Sequence, residues 1–428
     1  MTVGRFILTP VGSGGDVHPY IGIGRELQAR GHEVFVLTAE HFRGAVEDAG
    51  LQFVPVLSEA LYQEGAGHPD LWHPRRGIEV AFALARFTFE PLWSELSRLF
   101  TGRDTVVVAH ALAIGARAFQ LKHAPWSPTV HLAPSIFRSE FRQPVIPPNL
   151  DISRLPRFVK RAMWRVVDAA VVDPLLRPWL DDALAVRGLP PARRVMNDWI
   201  HSDALTLGLF PEWFADPQPD WPSQLKMTGF PLFDGRVDRA LSAPVESFLE
   251  RGPPPVAFTP GTANQAAVDF FQTSVEAVEM AGLRAILLTG YPEQIPDDLP
   301  DSVIHASYES FGALLPRCSV IVHHGGVGTT SQGLKAGIPQ IVRPLGFDQG
   351  DNGMHLRRLG TGEMIIPDDY QAAQVASALT RLTSDPVVRE ASRNCAQLIA
   401  GDSGILVAAD LIEGCLDSGR ETPPSGAS

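Results

Sequence analysis

The amino-acid sequence predicts an α/β protein made of two doubly wound domains with parallel sheets. Short apolar runs alternate with helical segments over the first hundred residues, and the same alternation starts again near residue 255. Parallel strands need crossovers of this kind, and two such series imply two sheets. The length of 428 residues agrees with two domains.

The N-terminal half opens with a strand, a glycine-rich loop and a helix. Apolar runs predict strands at 5–9, 33–38, 52–56 and 105–109. The first helix is expected to start near Pro19, because proline is favoured in a first helical turn, and to end at Gly31. A strand, a helix and a strand within about 35 residues form a βαβ unit.

The C-terminal half repeats the pattern, and a proline-rich stretch at 211–235 separates the two series. Further strands are predicted at 255–259, 285–289, 319–323 and 340–343. The predicted division is an N-terminal domain at 1–225, a linker at 226–245, a C-terminal domain at 246–404, a last helix at 405–417 and a disordered Gly/Pro/Ser-rich tail at 418–428.

The composition limits the classes of function. A formal net charge of −12 gives the chain no global attraction to nucleic-acid phosphates. Cys318, Cys395 and Cys415 are too few and too widely spaced for a disulfide framework or a zinc site, and they fit a reducing cytoplasm. Isolated histidines such as His41 and His110 are expected to be structural. No apolar run approaches the roughly 20 residues that span a bilayer. We therefore expect a soluble, cytoplasmic protein.

The first candidate site is the loop from Gly12 to His18. A dinucleotide fingerprint would need glycine at position 17, where Val17 stands. Asp16 and His18 follow the first strand, at the sheet edge where α/β proteins bind ligands, and they are the predicted catalytic residues. Asp16 fits a general base for a hydroxyl, or simply the cap of the following helix.

The second candidate site lies between 323 and 352. A glycine-rich turn after a strand opens a helix, and such a turn offers backbone N–H groups to a phosphate. His324 and Thr329 add side-chain donors. Asp348 and Gln349, after the next strand, form an acceptor and donor pair suited to sugar hydroxyls. A packing turn and a polar surface loop are the alternative interpretations of these two segments.

These motifs together resemble glycosyltransferase family 1, whose GT-B fold has two facing Rossmann-like domains with a cleft between them. The stretch 308–352 is similar to the family's donor signature, and it is specific as a unit. The segments 12–19, 68–72 and 220–234 resemble the bacterial and sterol-type branch, and most of all the rhamnosyltransferase of rhamnolipid synthesis. The resemblance covers nearly the whole chain.

The resemblance implies roles for individual residues. Asp16 stands where many relatives carry a catalytic histidine, and Gln332 where many use glutamate to hold the ribose. The N-terminal domain would bind the acceptor, the C-terminal domain the nucleotide sugar, and the last helix would cross back. The implied donor-binding residues are Thr262, Tyr308, His324, Gly326, Gly328, Thr329, Gln332, Asp348 and Gln349.

Two helices of the N-terminal domain bear on the acceptor. An apolar, aromatic helix at 77–99 carries the predicted acceptor-binding residues Phe82, Phe89 and Trp93, for which ordinary core packing is the alternative. The segment 154–167 combines one apolar face with arginines and a lysine off that face. It predicts contact with a membrane surface or a lipid-acceptor entrance, against a solvated helix face as the alternative.

The predicted reaction is inverting transfer of a hexose or deoxyhexose from a UDP- or dTDP-sugar to a hydroxyl of a lipophilic acceptor, such as a hydroxy fatty acid lipid. No cofactor and no metal are expected. A sterol, carotenoid or polyketide glucosyltransferase is the alternative within the fold. A nucleotide-sugar epimerase and a non-catalytic nucleotide-sugar-binding partner are the rivals from other classes. The expected location is the cytoplasm, with peripheral contact at the inner membrane face through 154–167 as one option.

Overall fold

A computed structural model describes residues 3–73, 76–145, 152, 154–233, 240–262, 264–265, 267–401 and 403–421. These residues form two α/β domains, each built on one parallel sheet. The predicted fold class is therefore confirmed.

The N-terminal sheet has seven parallel strands in the order β3-β2-β1-β4-β5-β6-β7. The strands are β1 (Arg5–Thr9), β2 (Glu33–Ala39), β3 (Gln52–Leu57), β4 (Thr105–His110), β5 (Thr129–His131), β6 (Thr206–Gly208) and β7 (Leu225–Met227). The helices of this half are α1 (Gly14–Ala29), α2 (Arg43–Asp48), α3 (Glu59–Ala66), α4 (Gly77–Phe87), α5 (Phe89–Leu99), α6 (Ile114–His123), α7 (Arg157–Val167) and α8 (Asp173–Val186).

The C-terminal sheet has six parallel strands in the order β10-β9-β8-β11-β12-β13. The strands are β8 (Val256–Thr259), β9 (Ala285–Leu288), β10 (Val303–Ala306), β11 (Val320–His323), β12 (Gln340–Val342) and β13 (Gly362–Met364). The helices are α9 (Ala243–Glu250), α10 (Val268–Ala281), α11 (Phe311–Leu314), α12 (Val327–Ala336), α13 (Gln349–Leu359), α14 (Ala372–Ser384), α15 (Pro386–Ala400) and α16 (Gly404–Glu421).

Both sheets reverse their strand order beside the first strand of the domain. In the N-terminal sheet β1 lies between β2 and β4, and in the C-terminal sheet β8 lies between β9 and β11. Ligands of open α/β sheets bind at such switch points, outside the carboxyl ends of the strands. The loops after β1, β8 and β11 are therefore the places to search for the site.

The first helix starts earlier than predicted. α1 begins at Gly14, and Pro19 lies inside it rather than in its first turn. Ser13 is the extended N-cap residue, and its backbone N–H donates to Asp16 Oδ2 at 2.7 Å. This bond satisfies a donor at the helix start and fixes the boundary.

The helix predicted at 77–99 is two helices, α4 and α5, which meet at Thr88. Pro91 has no N–H to donate to the carbonyl four residues earlier, and its ring clashes there, so one continuous helix is disfavoured. The Thr88 hydroxyl donates to the Leu84 and Ala85 carbonyls at the break.

The predicted domain limits differ from the described elements at two places. The linker predicted at 226–245 begins inside β7 and ends inside α9, and its residues 234–239 lie outside the described residues. α16 runs to Glu421, so the first four residues of the predicted disordered tail are helical. Residues 422–428 lie outside the described part.

α16 packs against the N-terminal domain. Ala408, Ile412 and Leu416 are buried in the same core cluster as β1 and β4. By length and composition alone, Pro386–Glu421 could cross a membrane. That stretch is divided into α15 and α16, and the inward face of α16 is packed as a core helix is.

Candidate active site

Asp16 lies in the cleft, held by the loop after β1. Its Oδ2 accepts the Ser13 N–H at 2.7 Å and the Ser13 hydroxyl at 3.1 Å. A Cβ on Gly12, whose φ is +141°, would lie 2.2 Å from the same oxygen, so this position requires glycine. Asp16 thus caps α1 with one oxygen, and its other oxygen is left for chemistry.

His110, the last residue of β4, faces that other oxygen. Its Nε2 lies 3.7 Å from Asp16 Oδ1. Its Nδ1 accepts the Leu112 N–H at 3.4 Å, which makes Nε2 the protonated nitrogen of a neutral ring. Burial lowers the pKa of His110, and the neutral form follows from that.

His110 therefore lies beside the candidate base, a position that was not predicted from the sequence, while its expected structural role stays a prediction. The register of β1 against β4 pairs Thr9 with Ala109, so the residue after Ala109 meets the loop after β1. The position of a histidine at the carboxyl end of a strand next to β1 was the signal that could have found it.

His18, the other predicted catalytic residue, turns toward the C-terminal domain. A Cβ on Gly14 would lie 3.4 Å from His18 Cε1 and 3.5 Å from Thr262 Oγ1. The first loops of the two domains therefore meet at this point. Thr262 is exposed there, on the loop after β8.

His324 follows β11 and lies between two glycines. A Cβ on Gly261 would lie 2.7 Å from its Cε1, and a Cβ on Gly326 would lie 2.5 Å from its Nε2. Its Nδ1 is buried and has no hydrogen-bond partner among the described residues. Burial lowers its pKa to about 4, so it serves as a neutral donor.

The start of α12 is open for an anion. Gly328 is exposed and has no atom within 4 Å of where a Cβ would lie, and Thr329 beside it is half-buried. Gln332, the predicted ribose contact, is 8% exposed one turn further along α12. A first helical turn that is open at Gly328 and lies next to His324 is the geometry of a phosphate site.

Asp348 closes the site from the loop after β12. Its Oδ2 accepts Asn352 Nδ2 at 2.8 Å and the Val327 N–H, in the first turn of α12, at 3.3 Å. Desolvation raises its pKa to about 7, and the charge of Asp16 contributes to the rise. Asp16 of the N-terminal domain and Asp348 of the C-terminal domain thus interact electrostatically across the cleft.

Gln349 has a structural task of its own. Its Oε1 accepts the N–H groups of Leu345 and Gly346 at 2.6 and 3.1 Å, and the residue is 2% exposed. Its carbonyl oxygen is therefore occupied by the loop, while the prediction had it holding a sugar. Phe347 beside it has a φ of +54° and packs edge-on against Trp72 at 5.8 Å, which links this loop to the N-terminal domain.

Tyr308 lies on the loop after β10. Tyr20 and Tyr62 of the N-terminal domain lie within electrostatic reach of Asp16. Burial raises the pKa of both phenols, and Asp16 raises it further. The candidate base therefore has aromatic neighbours in its own domain.

The predicted acceptor residues belong to the core. Phe82 and Phe89 are 5% and 1% exposed, in a cluster with α8. Trp93 packs edge-on against Phe119 at 5.3 Å, and the Arg187 guanidinium lies 4.5 Å from its ring centre. These three side chains stabilise the domain and do not line an open surface, so this prediction is corrected.

An open cavity lies elsewhere in the N-terminal domain. It has a volume of about 520 Å³ and lies between α7 and the segment 137–140. The rings of Phe137 and Trp164 and the guanidinium of Arg138 line it. Across the described residues, no group of three or more His, Cys, Asp or Glu side chains is arranged to hold a metal ion.

Two family profiles match the chain, one in each domain. Residues 6–109 match the glycosyltransferase family 28 N-terminal domain, and residues 286–413 match the C-terminal domain described as erythromycin biosynthesis protein CIII-like. The first matched segment contains Asp16 and ends one residue before His110, and the second contains His324 and Asp348.

Relatives match over almost the full chain. O-mycaminosyltylonolide 6-deoxyallosyltransferase of Streptomyces fradiae is 28% identical over 96% of this chain and 97% of its own length. A sterol 3-beta-glucosyltransferase of Arabidopsis thaliana is 25% identical over 98% of this chain and 68% of its own length. Neither supports a special closeness to the rhamnosyltransferase of rhamnolipid synthesis.

Solved structures show the same fold. The glycosyltransferase of kitacinnamycin has a TM-score of 0.73 at 22% identity, covering 97% of this chain and 100% of its own. The glycosyltransferase VinC, in complex with DTDP, has a TM-score of 0.67 at 19% identity, with coverage of 97% and 100%. These structures establish the GT-B fold, and the family profiles and the relatives make the chain an enzyme of the glycosyltransferase class.

Proposed function

We propose that this enzyme moves a hexose or deoxyhexose from a UDP- or dTDP-sugar to a hydroxyl of a lipophilic acceptor, with inversion and without a metal. The observation that carries the proposal is the position of Asp16. Its Oδ1 faces the cleft and His110, and its charge acts on Asp348 on the opposite wall. A base on one domain and a hydroxyl- and phosphate-binding wall on the other are what sugar transfer requires.

In the proposed mechanism Asp16 Oδ1 takes the proton of the acceptor hydroxyl. The hydroxyl oxygen attacks the anomeric carbon while the bond from that carbon to the phosphate oxygen breaks. One in-line displacement inverts the centre, and the nucleoside diphosphate leaves with the electron pair. His110, whose Nε2 lies 3.7 Å from Asp16 Oδ1, is proposed as the positioning residue for the base.

The leaving diphosphate is stabilised by neutral donors. His324 offers an N–H, since its pKa of about 4 leaves it uncharged at neutral pH. The first turn of α12, at Gly328 and Thr329, adds backbone N–H groups and the positive end of the helix. Fixed dipoles of this kind take the role that a cation has in other transferases.

Separate observations support the proposed donor and the proposed acceptor. Thymidine-linked deoxysugars, rhamnose among them, are favoured because one relative is by name a deoxyallosyltransferase and one structural neighbour was solved with DTDP. A lipophilic acceptor with a ring system is favoured by the sterol glucosyltransferase relative and by the aromatic rings of Phe137 and Trp164 in the open cavity.

The experiment is the Asp16→Asn variant. Its amide oxygen still accepts the Ser13 N–H, so the α1 cap and the fold are kept. We expect kcat to fall by roughly 10²–10⁴-fold, the usual size of general-base catalysis, with the Kd for UDP or dTDP unchanged. Asp48→Asn, on the exposed side of α2, is the matched control.

His110→Asn tests the positioning role in the same assay. We expect a smaller fall in kcat, an unchanged donor KM and a displaced acidic limb of the kcat profile against pH. If Asp16→Asn turns over at the wild-type rate, the assignment of the base is wrong. If His110→Asn changes only thermal stability, His110 is a packing residue.

A further inference from the structure

α7 leaves part of its apolar surface exposed, with Phe158 72% and Val166 64% exposed. The inward side of the helix holds half-buried apolar residues together with Lys160, which is 2% exposed and donates from Nζ to the Phe141 carbonyl at 3.1 Å. An ordinary solvated helix face would carry polar side chains at the exposed positions.

The exposed apolar residues of the helix are Phe158, Ala162 and Val166, which we call the α7 stripe. Leu155 before the helix and Val171 after it are exposed as well. Within α7 the spacing of four residues from Phe158 to Ala162 and from Ala162 to Val166 places them on one side of the helix. Contiguous exposed apolar surface of this kind marks an interaction site.

Basic side chains border the stripe. Residues 154–167 carry Arg154, Arg157, Lys160, Arg161 and Arg165 and no acidic residue, in a chain whose net charge is −12. Glu140 pairs with Arg161 at 2.7 Å and approaches Arg157 at 3.9 Å. Within the described part of the chain, neither Arg154 nor Arg165 has a carboxylate within ion-pair distance, although the charge of Arg165 acts on Glu140.

Arginine–aromatic contacts and an ion pair hold α7 in this orientation. The Arg157 guanidinium lies 3.8 Å from the ring centre of Phe141, and that of Arg138 lies 4.2 Å from the ring of Trp164. Arg138 also bonds the Asp168 carboxylate just after α7. Rolling the stripe inward would break these contacts and bring arginines into the core, so the stripe stays outward.

We propose that the α7 stripe docks on the surface of an anionic lipid bilayer. Phe158 and Val166 would enter the boundary between headgroups and acyl chains, and Arg154 and Arg165 would contact lipid phosphates. A helix with apolar residues on one side and arginines along its border lies in the membrane plane in this way. Charge complementarity supports an anionic lipid surface as the partner. The whole chain is acidic, so it can approach such a surface only with the arginines that border the stripe.

The test is co-sedimentation of the full-length protein with vesicles of phosphatidylcholine containing phosphatidylglycerol, and with phosphatidylcholine alone. We expect binding to the anionic vesicles that weakens with added salt. Phe158→Ser with Val166→Ser lowers partitioning by roughly tenfold or more. Arg154→Gln with Arg165→Gln lowers it about thirtyfold, the equivalent of about 1 kcal/mol per arginine near an anionic surface.

α15 in the other domain provides matched controls. Val387→Ser with Leu398→Ser removes two apolar side chains that are also exposed, and Arg389→Gln with Arg393→Gln removes two arginines outside the stripe. These variants should sediment as the wild type does. Equal losses from α15 and α7 variants, or no wild-type binding at low salt, would overturn the proposal.

Two further measurements distinguish lipid docking from self-association and from damage to the fold. Light scattering reports whether the chain self-associates. A dimer that Phe158→Ser with Val166→Ser dissociates makes a second copy the occupant of the stripe and overturns lipid docking. Donor-nucleotide affinity, measured on every variant, confirms the fold of the site. Loss of vesicle binding with intact nucleotide affinity concerns the stripe alone, whatever the outcome for the proposed transfer reaction.

Discussion

Gly261 is the residue whose replacement tests the donor site most directly. It follows β8 with a φ of +92°, and its missing side chain makes room for the His324 ring. A Cβ there would lie 2.7 Å from Cε1 and 2.9 Å from each ring nitrogen. Since these distances are below any van der Waals contact, Gly261→Ala must displace the imidazole.

The size of the effect follows from two separate costs. A non-glycine residue at positive φ costs about 1–2 kcal/mol of stability wherever it occurs. Displacing His324 also removes a hydrogen bond to a charged phosphate, which is worth about 1.5–3 kcal/mol. We therefore expect the Kd for the nucleoside diphosphate to rise roughly 10- to 150-fold, since each 1.4 kcal/mol is tenfold.

Isothermal titration with UDP and dTDP measures the affinity, and chemical denaturation measures the stability. Gly282→Ala is the matched control, because Gly282 has a φ of +63° and no atom within 4 Å of its Cβ position. It should lose stability and keep full affinity. Wild-type affinity in Gly261→Ala, with the same stability loss as in Gly282→Ala, would refute the placement of His324 against the phosphate.

Two other predictions come from burial. Asp348 has a folded pKa of about 7, above its ordinary value, so its contribution to stability is complete below about pH 4 and is lost as the pH rises through 7. The unfolding free energy of the wild type relative to Asp348→Asn should fall by up to about 4 kcal/mol over that range in denaturant titrations, and a constant difference would contradict the shift. Phe89→Ala should cost about 3–5 kcal/mol of stability and leave the acceptor KM unchanged, because its ring packs against Trp179 in the core. A raised acceptor KM without loss of stability would instead show that Phe89 contacts the acceptor.

The central strands were predictable because burial on both faces demands continuous apolar runs. β1, β2, β4 and β11 each lie within one residue of the predicted limits at both ends. The strands β5, β6, β7, β10 and β13 were not predicted; they have three or four residues each. A segment such as 129–131 has no pattern of its own, and it is a strand because β4 offers it hydrogen bonds.

The site was predictable where its chemistry is local. The turn around His324 and the acid at position 16 each stand within one short motif, and the structure brings both to the cleft. The proximity of His110 to Asp16 could not be predicted, because the two residues are 94 positions apart and only strand register brings them together. Phe82 and Phe89 were misassigned because an aromatic helix face looks alike whether it meets a ligand or the rest of its own domain.

Asp16 and Asp348, the two carboxyl groups of the cleft, lie in different environments. In the proposed mechanism Asp16 is the base, and it accepts two hydrogen bonds from Ser13 and stands beside a neutral His110. Asp348 is desolvated, and with a pKa of about 7 it can donate a hydrogen bond to a sugar hydroxyl or accept one at neutral pH. The protonated form can donate to a sugar oxygen, which a charged carboxylate cannot do, so the raised pKa widens the set of hydroxyl contacts that Asp348 can make.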